Sequence, residues 1–320
     1  MKIAVLDIPK ENPGELDWSA LGKLGEVAMY SRTFPNQTVE RIGDAELVLI
    51  NKTPLTREVF AACPQIRYVG VIATGFNMVD LAAAAERGIT VTNVPSYGSE
   101  AIGQHAIALL LELTNRVGYF DREVRKLRRG DDSDWCFWDH SLLELAGLTM
   151  GIVGYGRIGQ VTGRIAQALG MRVLACDTNR IPELENDRCR YADFEEVLRE
   201  SDVIALHCPL LPETTGMINR ETIARMKDGV ILINNSRGKL VVNRDLAEAL
   251  KSGKVAAAGL DVLEQEPPEA DDPLLSAPNC VITPHISWAF RACRERLKNT
   301  ATETLRQFLA GNPVNVVSHP

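Results

Sequence analysis

The sequence predicts an α/β protein made of two doubly wound parallel-sheet domains. Short β-branched, apolar runs alternate with segments of helical periodicity along the whole chain. Most of these runs are apolar on both faces, which is typical of strands covered by helices on each side. The length of 320 residues corresponds to about two domains of ordinary size. Together these observations favour two open sheets with right-handed crossovers.

The first domain is predicted from five strands that precede residue 98. The stretch from Met78 to Gly88 supplies a helix between the last two strands, with Gly88 at its C-terminal cap. The opening MKIAVLDIP is interpreted as a strand, because it has no charged region followed by a long apolar region as a signal peptide does. The five predicted strands are 2–7, 26–31, 46–51, 68–73 and 90–94.

The second domain is predicted from six later strands. Between the first two of them, Val161, Ile165 and Leu169 lie on one face of a helix that Gly170 ends. The six predicted strands are 149–154, 172–177, 202–207, 229–235, 255–262 and 280–285.

Two long helical segments, Ala101 to Leu113 and Ala289 to Leu309, flank this second series. The chain can therefore leave the first domain by one helix and return to it by the other. We expect residues 1–98 and 287–320 to form one domain and residues 99–286 to form a second, inserted domain.

Composition and charge exclude several classes of protein. The chain carries 35 Lys and Arg against 42 Asp and Glu, a net charge of −7, which disfavours nucleic acid as a partner. The longest purely apolar run, Ala106 to Leu111, is far shorter than the roughly 20 residues that cross a bilayer, so no membrane span is expected. Seven cysteines without a C-x-x-C pair predict neither a disulfide framework nor a metal site, and favour a cytoplasmic location.

A glycine-rich turn predicts a dinucleotide site. Gly154, Gly156 and Gly159 fit G-x-G-x-x-G, follow a predicted strand and open an amphipathic helix. Gly154 permits a tight turn, Gly156 lets the backbone approach a pyrophosphate, and Gly159 lets helix and strand pack closely. The amides of Arg157 and Ile158 would lie at the positive end of the helix. The alternative is a set of turn glycines without a ligand.

Asp177, at the end of the next strand, predicts which dinucleotide binds. Its carboxylate would accept hydrogen bonds from the adenosine ribose and repel a 2′-phosphate, so NAD is favoured over NADP. Arg180 lies three residues further on and can soften that preference.

Polar residues follow three later strands and would meet at the carboxyl edge of the second sheet. Arg237 follows the strand 229–235, and His285 follows the last strand. The strand between them ends at Asp261, with Glu264 and Glu266 close behind it. Each of these residues alone has an ordinary explanation, because an arginine after a strand is usually solvated and a single histidine is usually packed in the interior. Together, beside a nicotinamide, the three kinds of side chain can supply an acid, an orienting carboxylate and an anion clamp.

The order of five sequence segments resembles that of a known family, the D-isomer-specific 2-hydroxyacid dehydrogenases, over essentially the whole chain. The segments are GYGRIG, HCPLLPETTGMIN, NNSRGKLVV, GLDVLEQEPP and TPHIS. The resemblance implies a flavodoxin-like substrate-binding domain and an inserted Rossmann domain that binds NAD. Within the family, the glycerate dehydrogenases, also called hydroxypyruvate reductases, are most similar. The segments that carry this narrower resemblance are VLINKTPL, IATGFNMVD, CFWD and FLAGNPVNVV.

The resemblance implies that Arg237, Glu266 and His285 carry catalysis. His285 would protonate the carbonyl oxygen as general acid, a role worth about 10²- to 10⁴-fold in rate. Glu266 would stabilise the imidazolium, and the planar guanidinium of Arg237 would hold the substrate carboxylate. Glu266 matches the family position because it directly precedes a proline, whereas Glu264 is expected to be solvated.

Further residues are implied to line the ligands. Asp261 would contact the nicotinamide carboxamide. Trp288 departs from the usual family turn after His285, and its indole would narrow the pocket for a small substrate. His105 and His140 are assigned to structural or surface roles. The other residues implied at the cofactor are Cys208, Pro209, Asn235 and Ser236, and those implied at the substrate are Lys52, Thr74 and Gly75.

Several alternatives stay open at this point. A D-lactate-type dehydrogenase or a phosphoglycerate dehydrogenase would use the same three residues, although the latter would need an extra basic cluster and usually has a C-terminal regulatory domain. A NADH-sensing protein that resembles the C-terminal-binding corepressors can also retain them. The apolar helix 101–113 and the aromatic stretch Asp131 to Trp138 favour a homodimer. That stretch suits an anchor that pins a loop to the core equally well.

Overall fold

A computed structural model describes residues 1–8, 16–126 and 136–318. The chain divides into two compact units, one made of Met1–Gly98 with Ala289–Pro320 and the other of Ser99–Trp288. Residues 131–135, which include Trp135 of the aromatic stretch, lie outside the described residues.

The first unit is built on a five-stranded parallel sheet in the order β2-β1-β3-β4-β5. Two of the three interior strands, β3 and β4, are buried along their whole length, as their uniformly apolar sequences predict. The strands are β1 (Lys2–Val5), β2 (Glu26–Met29), β3 (Leu47–Ile50), β4 (Tyr68–Val71) and β5 (Thr90–Thr92).

Helices of the first unit connect these strands. The helix predicted over 78–88 is shorter in the structure and spans six residues. It begins directly after Asp80, whose side chain caps the start by accepting a hydrogen bond from the Ala83 amide at 2.9 Å. The C-terminal helix packs on the sheet, where the ring centroids of Tyr68 and Phe308 are 4.7 Å apart. The helices are α1 (Ser19–Gly22), α2 (Thr38–Ile42), α3 (Arg57–Ala62), α4 (Leu81–Glu86) and α11 (Arg291–Leu309).

The second unit is built on a seven-stranded parallel sheet in the order β12-β11-β10-β9-β6-β7-β8. Six of its strands match the predicted ones, and the three-residue edge strand β8 was not predicted. The strands are β6 (Thr149–Val153), β7 (Arg172–Cys176), β8 (Cys189–Tyr191), β9 (Val203–Leu206), β10 (Val230–Asn234), β11 (Val255–Leu260) and β12 (Cys280–Ile282).

Within the second unit, helix α5 (Ser99–Asn115) packs against helix α7 (Arg157–Ala168) and the strands β10 and β11. Its close approach to α7 depends on Gly103, where a Cβ would lie 2.6 Å from Cγ1 of Val161. The apolar side chains of this helix therefore pack against other elements of the same unit. The helices are α5 (Ser99–Asn115), α6 (Val117–Arg125), α7 (Arg157–Ala168), α8 (Phe194–Glu200), α9 (Arg220–Arg225) and α10 (Asn243–Ser252).

The strand order of the second sheet reverses between β6 and β9. The chain runs from β6 outward to β7 and β8, and then crosses to β9 on the other side of β6. In open α/β sheets such a switch point leaves a crevice beyond the carboxyl ends of the two strands, and ligands bind there. The α/β architecture predicted from the sequence is confirmed in both units.

Candidate active site

The turn after β6 packs against the turn after β9. Gly154 has φ +93°, in the left-handed region that favours glycine. A Cβ at this position would lie 2.4 Å from the backbone nitrogen of Cys208, and one at Gly159 would lie 2.2 Å from the Gly154 carbonyl oxygen. Both glycines are therefore required by close backbone approach.

Gly156 has a different role, because space is open beside it. A Cβ at this position would meet nothing within 4 Å. Gly156 is the N-cap of the twelve-residue helix α7, and a glycine has no side chain that could cap this helix end. The first amides of the helix, including those of Arg157 and Ile158, therefore point into open space and give this helix end a partial positive charge. This geometry fits the pyrophosphate of a dinucleotide.

Asp177 directly follows β7, where the sequence places the ribose-binding carboxylate. One of its oxygens accepts a hydrogen bond from the Asn179 amide at 2.9 Å. The guanidinium of Arg180 lies 5.9 Å from the centre of the Tyr191 ring, within the range of a cation–π contact. Arg180 thus has a partner of its own on β8.

The turn after β9 carries His207, Cys208 and Pro209. Nε2 of His207 lies 2.9 Å from the Thr162 hydroxyl on α7, and its buried Nδ1 has no hydrogen-bond partner among the described residues. Burial lowers the pKa of His207 to about 4, so the ring is neutral at pH 7. Burial raises the pKa of the Cys208 thiol to about 11, so that sulfur stays protonated. This turn is therefore uncharged next to the glycine turn.

The turn that carries Arg237 is organised by Asn234, which the sequence analysis missed. The Asn234 side chain accepts from the Ser236 amide at 3.1 Å and donates to the Arg237 carbonyl oxygen at 2.9 Å. The Ser236 hydroxyl donates to the Cys208 carbonyl oxygen at 2.7 Å, which ties the turns after β9 and β10 together. The exposed Arg237 guanidinium donates to the Ser236 carbonyl oxygen at 2.8 Å. Asn234 is fully buried at a strand end, a position at which a polar side chain signals such a role.

Gly238 brings this turn against the loop after β11. A Cβ on Gly238 would lie 1.9 Å from the backbone carbon and oxygen of Leu263. Asn235, at the start of the turn, donates to the Ile102 carbonyl oxygen at 2.8 Å, and its buried Oδ1 has no hydrogen-bond partner among the described residues. An unpartnered buried acceptor at this edge of the sheet fits a site that takes up a polar ligand.

Glu266 and His285 form a direct pair. Nδ1 of His285 lies 2.7 Å from one carboxylate oxygen of Glu266, and the other oxygen accepts from the Leu263 amide at 3.3 Å. Both side chains are partly exposed, at 29% for His285 and 34% for Glu266. Glu264 is exposed, as predicted. Arg237, Glu266 and His285 follow the neighbouring strands β10, β11 and β12, so all three belong to the same sheet edge.

Asp261 is tied to the loop that carries His285. Its side chain is fully buried, and its two carboxylate oxygens accept from the amides of Ile286 and Ser287, each at 2.8 Å. The Trp288 indole donates to the His285 carbonyl oxygen at 2.8 Å. The structure thus assigns Asp261 and Trp288 contacts with the His285 loop, and their contacts with cofactor and substrate stay predictions.

The substrate residues implied in the first unit lie at the carboxyl ends of β3 and β4. Asp7, another residue that was missed, accepts from the amides of Asn51 and Thr53 at 2.7 Å each and also from that of Lys52. Burial raises the pKa of Asp7, and these amides oppose the shift. Asp7 therefore holds the loop from which the exposed Lys52 extends.

Thr74 and Gly75 follow β4 by a few residues. The Thr74 hydroxyl donates to the Val94 carbonyl oxygen at 3.0 Å, and the Asn93 amide group donates to the Thr74 carbonyl oxygen at 2.7 Å. These bonds anchor the turn at the ends of β4 and β5, and the structure assigns no contact to the substrate.

The two remaining described histidines lie in packed surroundings. The His140 ring packs edge-on against Tyr119, with 4.6 Å between ring centres. The His105 side chain is 12% exposed, and its Nε2 lies 3.1 Å from the Thr283 hydroxyl. Within residues 1–8, 16–126 and 136–318, no three His, Cys, Asp or Glu side chains are grouped to hold a metal ion. In the same ranges no helix combines the length and apolarity needed to cross a membrane.

Comparison with known proteins agrees with this geometry. Residues 107–287 match the family model of the D-isomer specific 2-hydroxyacid dehydrogenase, NAD binding domain. The chain is 58% identical to a hydroxypyruvate reductase of Blautia hydrogenotrophica over 99% of this chain and 100% of that protein. It is 38% identical to a glycerate dehydrogenase of Methylorubrum extorquens over 91% of this chain and 92% of that protein.

Among solved structures, a D-lactate dehydrogenase from Aquifex aeolicus, complexed with NAD and lactic acid, superposes with a TM-score of 0.87. It is 30% identical to this chain, and the match covers 100% of both chains. The similarity therefore extends through both units rather than through the matched domain alone.

Proposed function

Since the chain belongs to the D-isomer-specific 2-hydroxyacid dehydrogenases, we propose that it interconverts hydroxypyruvate and D-glycerate with NAD(H). The observation that carries this proposal is the pairing of His285 with Glu266 at 2.7 Å, on the same sheet edge as the glycine turn. The hydroxypyruvate reductase that is 58% identical over its full length supports this choice of substrate.

The second unit holds the dinucleotide. The open space beside Gly156 accepts the pyrophosphate against the amides of Arg157 and Ile158. Asp177 binds the ribose hydroxyls and disfavours a 2′-phosphate, which makes NAD the preferred form. When bound, the reduced cofactor supplies a hydride. The other residues that line its pocket are Gly154, Gly159, Cys208, Pro209, Asn235, Ser236 and Asp261.

The proton comes from His285. Because Nδ1 faces Glu266, the other ring nitrogen, Nε2, presents its hydrogen to the substrate carbonyl oxygen. The Glu266 carboxylate stabilises the imidazolium before the transfer. Reduction adds one hydride and this proton to the 2-keto acid and gives the 2-hydroxy acid. In the oxidative direction neutral His285 accepts the hydroxyl proton as general base.

The substrate is held through its carboxylate. The guanidinium of Arg237 binds it as a planar, permanently charged fork. The family resemblance also implies Thr74, Gly75 and Lys52, which belong to the first unit, as substrate residues. Trp288 limits the size of the pocket, which suits the short side chain of hydroxypyruvate.

A substrate screen tests this proposal. The purified protein is mixed with NADH or NADPH and with hydroxypyruvate, glyoxylate, pyruvate or phosphohydroxypyruvate, and loss of the reduced nicotinamide absorbance is followed. We expect hydroxypyruvate with NADH to give the highest kcat/KM. A preference for pyruvate or phosphohydroxypyruvate would identify a D-lactate-type or a phosphoglycerate dehydrogenase. Binding of NADH without turnover of any short 2-keto acid would overturn the enzymatic proposal in favour of a NADH-sensing binding protein.

A histidine variant tests the role of His285 separately. His285→Ala is expected to lower kcat by about 10²- to 10⁴-fold, while the Kd of NADH, measured by fluorescence, stays close to that of the wild type. An equal loss in kcat and NADH affinity would assign His285 a structural role instead.

The assembly proposed for the chain is a homodimer. Four large apolar side chains of the second unit are exposed around α6 and the segment after residue 136, and aromatic and aliphatic side chains of this kind are enriched in interface cores. They are Val117 (65% exposed), Trp138 (71%), Leu142 (56%) and Leu143 (43%). Light scattering should give twice the chain mass, and Trp138→Asp should lower it, whereas the control Leu275→Asp, at another exposed leucine (49%), should not. A monomeric wild type would contradict the dimer.

The compartment proposed is the reducing cytoplasm, because all seven cysteines are free.

A further inference from the structure

A buried carboxylate lies behind the loop of His285. The Asp261 side chain has no exposed surface, and its charge is compensated by the amides of Ile286 and Ser287 and by the Thr283 hydroxyl, which donates to Oδ1 at 2.5 Å. Nε2 of His105, on helix α5, lies 3.6 Å from the same oxygen. All of these residues belong to the second unit.

The hydrogen bonds of this cluster have one consistent direction. A threonine hydroxyl has a single hydrogen, and that hydrogen is directed to Asp261. The Thr283 oxygen is therefore an acceptor toward Nε2 of His105 at 3.1 Å, which makes Nε2 the protonated nitrogen. The result is a chain of donors that runs from His105 through Thr283 to Asp261.

This chain ends on the backbone of the proposed general acid. His285 has φ +56°, a conformation that residues other than glycine rarely adopt. The amides of the next two residues bind the Asp261 carboxylate, and the His285 amide itself donates to the Asp261 carbonyl oxygen at 2.9 Å. An unusual backbone conformation persists only where several contacts impose it together. Asp261 provides those contacts here.

We propose that His105 is a positioning residue for His285 and acts through Thr283 and Asp261. This inference rests on the proposed function of His285. Without the Thr283 hydroxyl, Oδ1 of Asp261 loses a donor in a place that water does not reach, and the left-handed turn loses part of its support. The His285 ring then leaves its place beside Glu266. The chemical step is slowed as a result, while the glycine turn that binds NADH is untouched.

A matched pair of threonine variants tests the proposal. Thr283→Val keeps the shape and removes the hydroxyl, and Thr283→Ser keeps the hydroxyl. We expect Thr283→Val to lower kcat for hydroxypyruvate by about 10- to 100-fold, as small misplacements of reacting groups do. The Kd of NADH should change less than kcat does, because Asp261 is the one proposed cofactor residue that Thr283 contacts. Thr283→Ser should retain activity close to that of the wild type.

The histidine end of the chain is tested in the same way. His105→Leu should resemble Thr283→Val, and His105→Gln, whose amide can still donate to Thr283, should recover most of the activity. The double variant His105→Leu/Thr283→Val should be no slower than the slower single variant, because both break one chain of contacts. If either Thr283→Val or His105→Leu fails to fold, as judged by circular dichroism, the other variant still tests the positioning role.

A readout that needs no turnover separates this inference from the proposed function. The chain has five histidines, so the ring C–H signals can be assigned by NMR in the protein without ligands. Thr283→Val should shift the His285 signals and leave those of His140 unchanged. Unchanged His285 signals together with wild-type kcat would overturn the positioning role. A wild type that reduces no 2-keto acid, but shows the expected shift, would overturn the function and leave the contact chain standing.

Discussion

At the scale of single residues, the neutral histidine beside the glycine turn has a measurable consequence. His207 is buried against Thr162, and burial lowers its pKa to about 4. A free histidine has a pKa of about 6.5, so the unfolded chain binds a proton at a higher pH than the folded chain does. Folding stability from this group is therefore fully present above pH 6.5 and is lost as the pH falls through about 4.

The prediction for His207 concerns acid unfolding. Between pH 7 and pH 4 the wild type should lose up to about 3 kcal/mol of unfolding free energy through this residue. His207→Gln, which can still reach Thr162, should show a shallower loss over the same range when urea unfolding is measured at several pH values. Equal slopes in both proteins would show that His207 does not titrate differently in the folded state.

Gly238 gives the second prediction at this scale. Gly238→Ala places a Cβ into the backbone of Leu263, so the loop before Glu266 must move. We expect a loss of about 1–3 kcal/mol in unfolding free energy and a fall in kcat, since both Arg237 and Glu266 are attached to this contact. Gly22→Ala is the matched control, because a Cβ there meets nothing within 4 Å. A neutral Gly238→Ala would contradict the close approach.

At the scale of elements, the sequence predicts those strands and helices whose burial produces a recognisable apolar pattern. Uniformly apolar runs such as those of β3 and β4 are typical of strands covered on both faces, and all eleven predicted strands are present. The edge strand β8, with the sequence CRY, is too short and too polar to show a pattern, because its pairing with β7 supplies its stability.

In the site, likewise, some residues were predicted from the sequence and others were missed. The glycine turn and the pair of Glu266 with His285 were predicted, since motif spacing and a family resemblance mark them in the sequence. The roles of Asn234, Gly238 and Asp7 were missed. Gly238 and Asp7 contact backbone segments that are distant in sequence, and no local pattern marks such contacts. Asn234 bonds to its own turn, but its role depends on burial at the strand end, which only the folded structure shows.

The contact between helices α5 and α7 predicts that a larger residue at Gly103 destabilises the protein. Gly103→Ala places a Cβ 2.6 Å from Cγ1 of Val161, so overpacking of about 1–3 kcal/mol opposes the helix preference of alanine, which is about 1 kcal/mol. We expect a net loss of stability by thermal unfolding. Adding Val161→Ala should recover part of it, although Val161→Ala alone is destabilising. Strictly additive effects of the two changes would show that the helices are not in contact at Gly103.

At the scale of the whole molecule, the two units have separate assigned tasks. The residues proposed to hold the dinucleotide all belong to the unit Ser99–Trp288, whereas Lys52, Thr74 and Gly75 belong to the unit formed by Met1–Gly98 and Ala289–Pro320. Ligands stabilise the parts of a protein that bind them, by about 2.7 kcal/mol at a concentration of 100 times Kd. Because Arg237, His285 and Trp288 of the second unit are also proposed to bind the substrate, the cofactor alone should protect the second unit, and the substrate should extend the protection to the first.

Hydrogen exchange followed by mass spectrometry measures this difference. NADH alone should slow amide exchange in peptides of the second unit, above all around Gly156 and Asp177, and leave peptides of the first unit unchanged. Adding D-glycerate with NAD should extend the protection to the loops that hold Lys52 and Thr74. In Gly156→Val, whose side chain fills the open space at the start of α7, NADH should protect neither unit. Protection of the first unit by NADH alone would contradict the division of tasks, because the cofactor would then be bound by residues of both units.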